Sequence, residues 1–200
     1  MVANEIFYID QFRNRLNTYA PVATDTFDKL RPILRLRPVA KGEFMVRAGQ
    51  TATDFHFVCE GIVASLIVNR EGNTHIKNFF TPGNFAGSKA SLLRSSPSSF
   101  SLQVLDAGVI ISFDYKKIKR LIYDHEDLKN FYIAYLEENW VIDNEKRQLA
   151  FATQTAKERY LTFLETYPGL DKRVSQHHIA SYLGVTPTQL SRIRKIVYQK

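Results

Sequence analysis

The side chains best suited to chemistry crowd one end of the sequence, in IASYLGVTPTQLSRIRK over residues 179–195. Lys172, Arg173, Arg192, Arg194, Lys195 and Lys200 fall within residues 172–200, a stretch without a single acid, and they account for most of the net charge of +7. A one-signed, strongly patterned patch of this kind is the footprint of a polyanion partner. A guanidinium fork can grip guanine O6 and N7, and short hydroxyl side chains can reach base edges, so the residue types suit the reading of DNA. Other chemistries find less material. The single cysteine, Cys59, excludes an internal disulfide and any cysteine-held zinc or iron–sulfur site. His56 and His75 lie in β-rich segments without the clustered spacing that a metalloenzyme needs. No catalytic residue, metal or cofactor is expected, and the chain is not read as an enzyme.

Side chains that read bases must be held by rigid elements, and the local sequence supplies them. Ser175 can cap a helix over roughly 176–183, with Ile179, Ala180 and Leu183 facing inward. Gly184 follows, where a sharp turn needs a positive φ, and Val185 plugs the turn. Thr186 and Gln189 form a capping box, and Pro187 suits the first helical position. The pattern is a helix–turn–helix of the DNA-binding type. Advancing about 100° per residue, Leu190, Ile193 and Val197 share one stripe. Thr188, Arg192, Lys195 and Gln199 lie opposite, with Ser191 at the shoulder. Thr188, Ser191 and Arg192 are the expected base readers, with Gln189 shared between reading and capping. Arg194 and Lys195 are expected to hold phosphates.

The remaining chain reads as a platform for this unit. Residues 5–18 and 24–34 suggest short helices, the second capped by Thr24 or Asp25. From 36 to 113, glycines punctuate short β-rich runs at 43–46, 55–59, 62–68, 74–80, 103–105 and 109–113, which argues for a small jelly-roll. A helical period then returns. Asp124 can cap a helix, and Leu121, Leu128, Tyr135, Ile142 and Leu149 recur every seven residues, the spacing of a helix that pairs with another. A further helix starts at Thr155 and stops near Tyr167-Pro168-Gly169. The expected class is α+β: a jelly-roll domain with N-terminal helices over 1–114, a dimerisation helix over 115–153, and a helix–turn–helix domain over 154–200. No apolar run approaches the roughly 20 residues that span a bilayer, and the N-terminus lacks a signal-peptide layout. A soluble, cytoplasmic protein is expected.

These motifs together resemble the Crp/Fnr family of bacterial transcription regulators from about residue 25 onward. KGEFMVRAGQTATDFHFVCEGIVASLIVNREGNTHIKNFFTPGNFAGS is similar to the family's cyclic-nucleotide-binding-type jelly-roll. Gly42-Glu43, Gly49, Gly61, Gly72, Pro82-Gly83 and Gly87 sit where that fold places its turns. Leu149-Ala-Phe to Arg159-Tyr-Leu resembles the junction after the long dimer helix. The resemblance implies double-stranded DNA with an inverted-repeat operator, a second copy of the chain and RNA polymerase as partners, without a membrane. Nucleotide-binding members carry Gly-Glu and then Pro-Arg-x-Ala-Ser/Thr. Here Gly87 is followed by Ser88 and Pro97 by Ser98, the small position holds Phe100, and Ile142 and Asp143 stand where hydroxyls meet the base. Cyclic AMP is therefore not the expected effector. A rebuilt pocket for another small anion would use Gly87, Ser88, Lys89, Ser98 and Ser99. Known members continue into a wing hairpin, and this sequence stops at Lys200, so no wing is expected.

Overall fold

The computed structural model describes residues 4–69 and 71–198. Two helices open the chain, α1 (Glu5–Asn17) and α2 (Thr24–Leu30). Eight strands follow: β1 (Arg35–Val39), β2 (Phe44–Val46), β3 (Asp54–Val58), β4 (Ile62–Val68), β5 (Thr74–Phe80), β6 (Phe85–Ala86), β7 (Ser101–Asp106) and β8 (Gly108–Asp114). A short helix, α3 (Lys89–Arg94), stands between β6 and β7. The strands form two antiparallel four-stranded sheets, in the orders β1-β8-β3-β6 and β2-β7-β4-β5. Val39, Val46, Val58, Val63, Phe100, Leu102, Val104 and Ile110 fill the space between them. The class is α+β, with a jelly-roll ahead of a helical C-terminal region. No helix among the described residues is long and apolar enough to cross a membrane.

The outer face of the first sheet carries α1 and the helices that follow the barrel, α4 (Tyr115–Asp124) and α5 (Glu126–Leu136). Phe12 of α1 is the centre of that layer. It is fully buried and its ring meets those of Phe27, Phe57, Phe85 and Phe113. The chain then passes through a π-helical turn, Glu137–Ile142, into α6 (Asp143–Thr153). The C-terminal unit consists of α7 (Ala156–Thr166), α8 (Gln176–Leu183) and α9 (Pro187–Tyr198).

Several expectations change on inspection of the fold. The regular part of α2 stops at Leu30, and Pro32 belongs to a 3₁₀ turn. Neither Thr24 nor Asp25 caps α2. Ala23 holds the capping position, and its N–H donates to Asp127 Oδ2 at 2.9 Å, so a carboxylate from α5 finishes the helix across the tertiary contact. Asp124 closes α4 instead of opening α5. The cap with a side-chain bond is Asp114, which accepts from the Lys117 N–H at 2.8 Å. Strand β1 contains Pro38, which sequence reasoning passed over. It lies at the sheet edge, where a missing N–H costs little. The seven-residue seam also divides. Leu128 and Tyr135 are buried against the barrel, whereas Ile142 and Leu149 are 39% and 56% exposed.

His56 of β3 is buried, and its Nδ1 pairs with Ser112 Oγ at 2.8 Å. Burial, reinforced by Arg37 and Arg35, pushes its pKa down to about 3. The unfolded chain takes up a proton near pH 6.5 that the folded chain refuses, so stability present above that pH is lost as the pH falls towards 3. Denaturant titrations between pH 7 and 4 should show an acid-side slope of up to about 1.4 kcal/mol per pH unit from this group. The slope should shrink in His56→Gln, which keeps a partner for Ser112. An unchanged slope would show that His56 does not titrate in that window.

Candidate nucleic-acid interface

The helix–turn–helix begins with a capped strut. Thr155 Oγ1 accepts from the Glu158 N–H, and Glu158 reaches back to the Thr155 N–H at 2.7 Å, closing a capping box at the start of α7. Ser175 caps α8 by accepting from the His178 N–H at 3.2 Å. The turn after α8 is built by Gly184, whose φ of 69° lies in the left-handed region. The Val185 N–H reaches Ala180 O at 3.0 Å and the Gly184 N–H reaches Ser181 O, so the last carbonyls of α8 are occupied. Gln189 Oε1 accepts from the Thr186 N–H at 2.9 Å, and Thr186 Oγ1 accepts from the Gln189 N–H at 3.2 Å. Both helix boundaries read from the sequence are those of the structure.

Burial sorts the faces of α9. Leu190 is fully buried beside Ile179, Ala180, Leu183, Tyr160 and Phe163, with Ile193 and Val197 half-buried along the same stripe. Thr188, Gln189, Ser191, Arg192 and Lys195 are all exposed on the other side. Gln199 and Lys200 lie outside the described residues. Arg194 behaves differently from expectation. It is half-buried, its Nη2 lies 3.9 Å from Asp171 Oδ2, and its guanidinium faces the Tyr198 ring. The Tyr198 hydroxyl also donates to Asp171, so Arg194 ties the end of α9 to its own domain. Arg173 is likewise engaged, donating from Nε and Nη2 to Asp106 Oδ2 at 3.0 and 2.7 Å. Two of the clustered cations therefore serve the fold. Arg192 and Lys195 are left facing out on α9.

What sequence reasoning missed is how the unit is mounted. The outer face of the second sheet and the helix–turn–helix share one core, in which Ile62, Leu66, Ile76, Phe79 and Leu105 meet Tyr160, Phe163, Leu170 and Ile179. Phe79 of β5 packs its ring against those of Phe163, Tyr167 and Tyr182. Ser181, on the outward side of α8, completes the edge of β5. Its hydroxyl donates to Thr74 O at 3.0 Å and accepts from the Ile76 N–H at 2.9 Å. Arg159 joins α7 to both neighbours, donating to Leu183 O at 3.2 Å and to Gln154 O at 2.7 Å. A serine in a helix carries no sequence signal for such a contact.

The expected pocket at Gly87, Ser88, Lys89, Ser98 and Ser99 does not form as a unit. Ser88 and Ser98 are buried, and the Ser98 hydroxyl lies 2.7 Å from that of Ser88 and 2.6 Å from Phe100 O. The two hydroxyls satisfy one another, Phe100 fills the adjacent interior, and Ser99 faces solvent. Gly87 is packed under the Phe55 ring, where an added Cβ would approach to 2.3 Å. Lys89 points elsewhere, over the ring of Trp140.

Residues 36–125 match the family model of the cyclic nucleotide-binding domain. The transcriptional activator Anr of Pseudomonas protegens is 23% identical over 180 residues, covering 84% of this chain and 72% of that protein. The cAMP-activated global transcriptional regulator CRP of Escherichia coli is 23% identical over 162 residues, covering 76% of this chain and 77% of that protein. Among solved structures, FixK2 from Bradyrhizobium japonicum superposes with a TM-score of 0.69 at 20% identity, covering 84% of this chain and 85% of that one. The chain thus carries a cyclic nucleotide-binding-type domain, and its homologues are Crp/Fnr-family transcription regulators.

Ser181→Ala should leave the two edge groups of β5 without their partner. A buried backbone group left unpaired costs about 1–3 kcal/mol. Hydrogen exchange of the Ile76 amide should accelerate accordingly, and exchange at the wild-type rate would contradict the docking.

Proposed function

We propose that this chain, with Crp/Fnr-family homologues, is a sequence-specific DNA-binding transcription regulator that reads an inverted repeat as a homodimer and does not respond to cyclic AMP. The observation that carries the reading is the division of α9. Its apolar stripe is locked into a core, and the opposite face offers Thr188, Ser191 and Arg192 near the helix start, with Lys195 one turn on. That is the geometry in which the first residues of a recognition helix meet base edges and a later cation meets phosphate. Gln189 is held by its cap, so its contribution to reading is secondary. Arg194, turned onto Asp171, supports the helix from behind. The relatives' names describe transcription regulators, which accords with a cytoplasmic, non-enzymatic role and with RNA polymerase as a further partner.

Dimerisation through the later helix is supported by exposed Val141, Ile142 and Leu149, which follow the point where barrel support ends. Two copies joined there would present two α9 helices to half-sites about 34 Å apart. Insensitivity to cyclic AMP is supported by the Ser88–Ser98 pair and by Phe100, which leave neither a carboxylate for a ribose nor a guanidinium for a cyclic phosphate.

Selection from a random-sequence DNA pool, with no ligand added, should enrich an inverted repeat. In Arg192→Ala, one half-site position should relax, with a loss of about 1–3 kcal/mol against the preferred base. Salt-insensitive binding, or none, would favour a tail that docks on protein instead. Separately, Leu149→Glu should convert the dimer to monomer in light scattering and abolish inverted-repeat binding. A persisting dimer would move the interface elsewhere.

A further inference from the structure

Beneath α1, α4 and α5 lies an apolar cavity of about 60 Å³, walled by residues that include Phe12, Phe85, Ile118 and Phe131. Lys89 and Trp140 stand at its margin. The Lys89 Nζ is 3.8 Å from the centre of the Trp140 ring and 5.0 Å from that of Tyr135. It has no carboxylate partner among the described residues, and the charges that act on it, Lys77 and Arg147, share its sign. Burial first, and those cations second, push its amine down to about 6. The Trp140 Nε1 is also buried; it acts on the Tyr135 hydroxyl but makes no hydrogen bond of good geometry among the described residues. A half-buried ammonium without a counter-ion and a poorly satisfied indole N–H therefore stand together at the margin of an apolar space. Donors held in that state are costly, and in a folded protein they mark a place for an acceptor.

We propose that this cavity binds a short-chain aliphatic monocarboxylate, with its tail among the aromatic walls and its head on Lys89 and the Trp140 N–H. The head follows from the two donors and from Lys77 and Arg147, the charges that act on Lys89. A carboxylate has lone pairs for both and supplies the counter-charge that Lys89 lacks, so the amine takes up a proton from solvent as the anion enters. The tail follows from size and polarity. A dry cavity of roughly 150 Å³ accepts a benzene ring, and this one is less than half as large, which favours a few methylene groups over a ring or a nucleoside. The cleft between the barrel and the helix–turn–helix shares Phe85, Lys89 and Tyr135 with this cavity, and its lining carries the cations Arg15, Lys146 and Arg147 against the two acids Glu138 and Asp143, an excess that favours an anion. Of the five residues expected to form an anion pocket, only Lys89 takes part, and its site lies outside the barrel interior. The inference does not depend on DNA binding.

Trp140 is the only tryptophan of the chain, so its fluorescence reports on the site directly. Titration of the full chain with pentanoate should give a saturable change in Trp140 emission. 1-Pentanol, which has the tail without the charge, and acetate, which has the charge without the tail, should each bind about tenfold more weakly or worse. Lys89→Met should erase the preference for pentanoate over pentanol, and its thermal transition at neutral pH should be at least as high as the wild type, because a half-buried amine without a counter-ion has been removed. Ile118→Phe, which fills the cavity and keeps the lysine, should lose pentanoate binding. Equal binding of pentanol and pentanoate, pentanoate binding unaltered in a folded Lys89→Met, or no saturable change in the wild type would each overturn the proposal.

Discussion

Strand β5 is a sheet edge, and an edge leaves backbone N–H and C=O groups that must find partners. The chain meets that requirement with its own helix–turn–helix. Ser181 supplies both a donor and an acceptor to the edge, and Phe79 on the same strand supplies the apolar contact with Phe163, Tyr167 and Tyr182. The reading helix is therefore oriented by the sheet and not by the linker that precedes it. Arg173 bound to Asp106 of β7 fixes a second point across the same sheet. Two separated attachments remove the rotation that a single one would allow. The direction in which Arg192 projects is set by that double anchorage, several elements away from α9 itself.

The jelly-roll has spent its interior on packing. Phe100 stands where a smaller residue would leave room, and Ser88 and Ser98 are committed to one another in the dry interior. Opening a ligand space there would expose two hydroxyls to an apolar wall and empty the volume of a phenyl ring, and each step costs several kcal/mol. The unspent polar capacity lies one layer out, where Lys89 leaves α3 and meets the π-helical turn. Cys59 is buried near the same layer, and burial pushes its thiol up to about 12, which keeps it inert.

How legible all this was depends on whether the controlling interaction was local. The turn from Ser175 to Gln189 could be read residue by residue because the caps and turn bonds that shape it span five positions or fewer. Most of the strands were visible for a similar reason, as β-rich runs between glycine turns. The cap of α2 was not, since Asp127 arrives from more than a hundred positions away. Charge counting placed Arg173 and Arg194 with the DNA-facing cations, although Asp106 and Asp171 claim them through the fold. Ser181 and Lys89 were the hardest to assign. A helical serine and a lysine at a helix start are ordinary surface residues until a distant strand or a tryptophan closes over them.

The helix after the barrel shows the same limit acting on a periodic signal. Leu121, Leu128, Tyr135, Ile142 and Leu149 keep a spacing of seven, which describes one stripe only if the helix is uniform. It is not. The turn Glu137–Ile142 is π-helical, and the extra residue it accommodates rotates everything beyond it by about 100° relative to the residues before. Leu128 and Tyr135 consequently face the barrel, while Ile142 and Leu149 face away from it. None of residues 137–153 is buried within the chain. One repeat therefore supplies two surfaces, the first consumed in folding and the second left exposed. The joint between them is fixed from both sides: Asn139 donates to the Tyr19 hydroxyl in the turn after α1 at 3.0 Å, and Trp140 lies over Lys89 of α3. Trp140 thus sits at the junction between the barrel and α6, and α6 is tied in turn to β5 by the bond from Arg147 to Asn78.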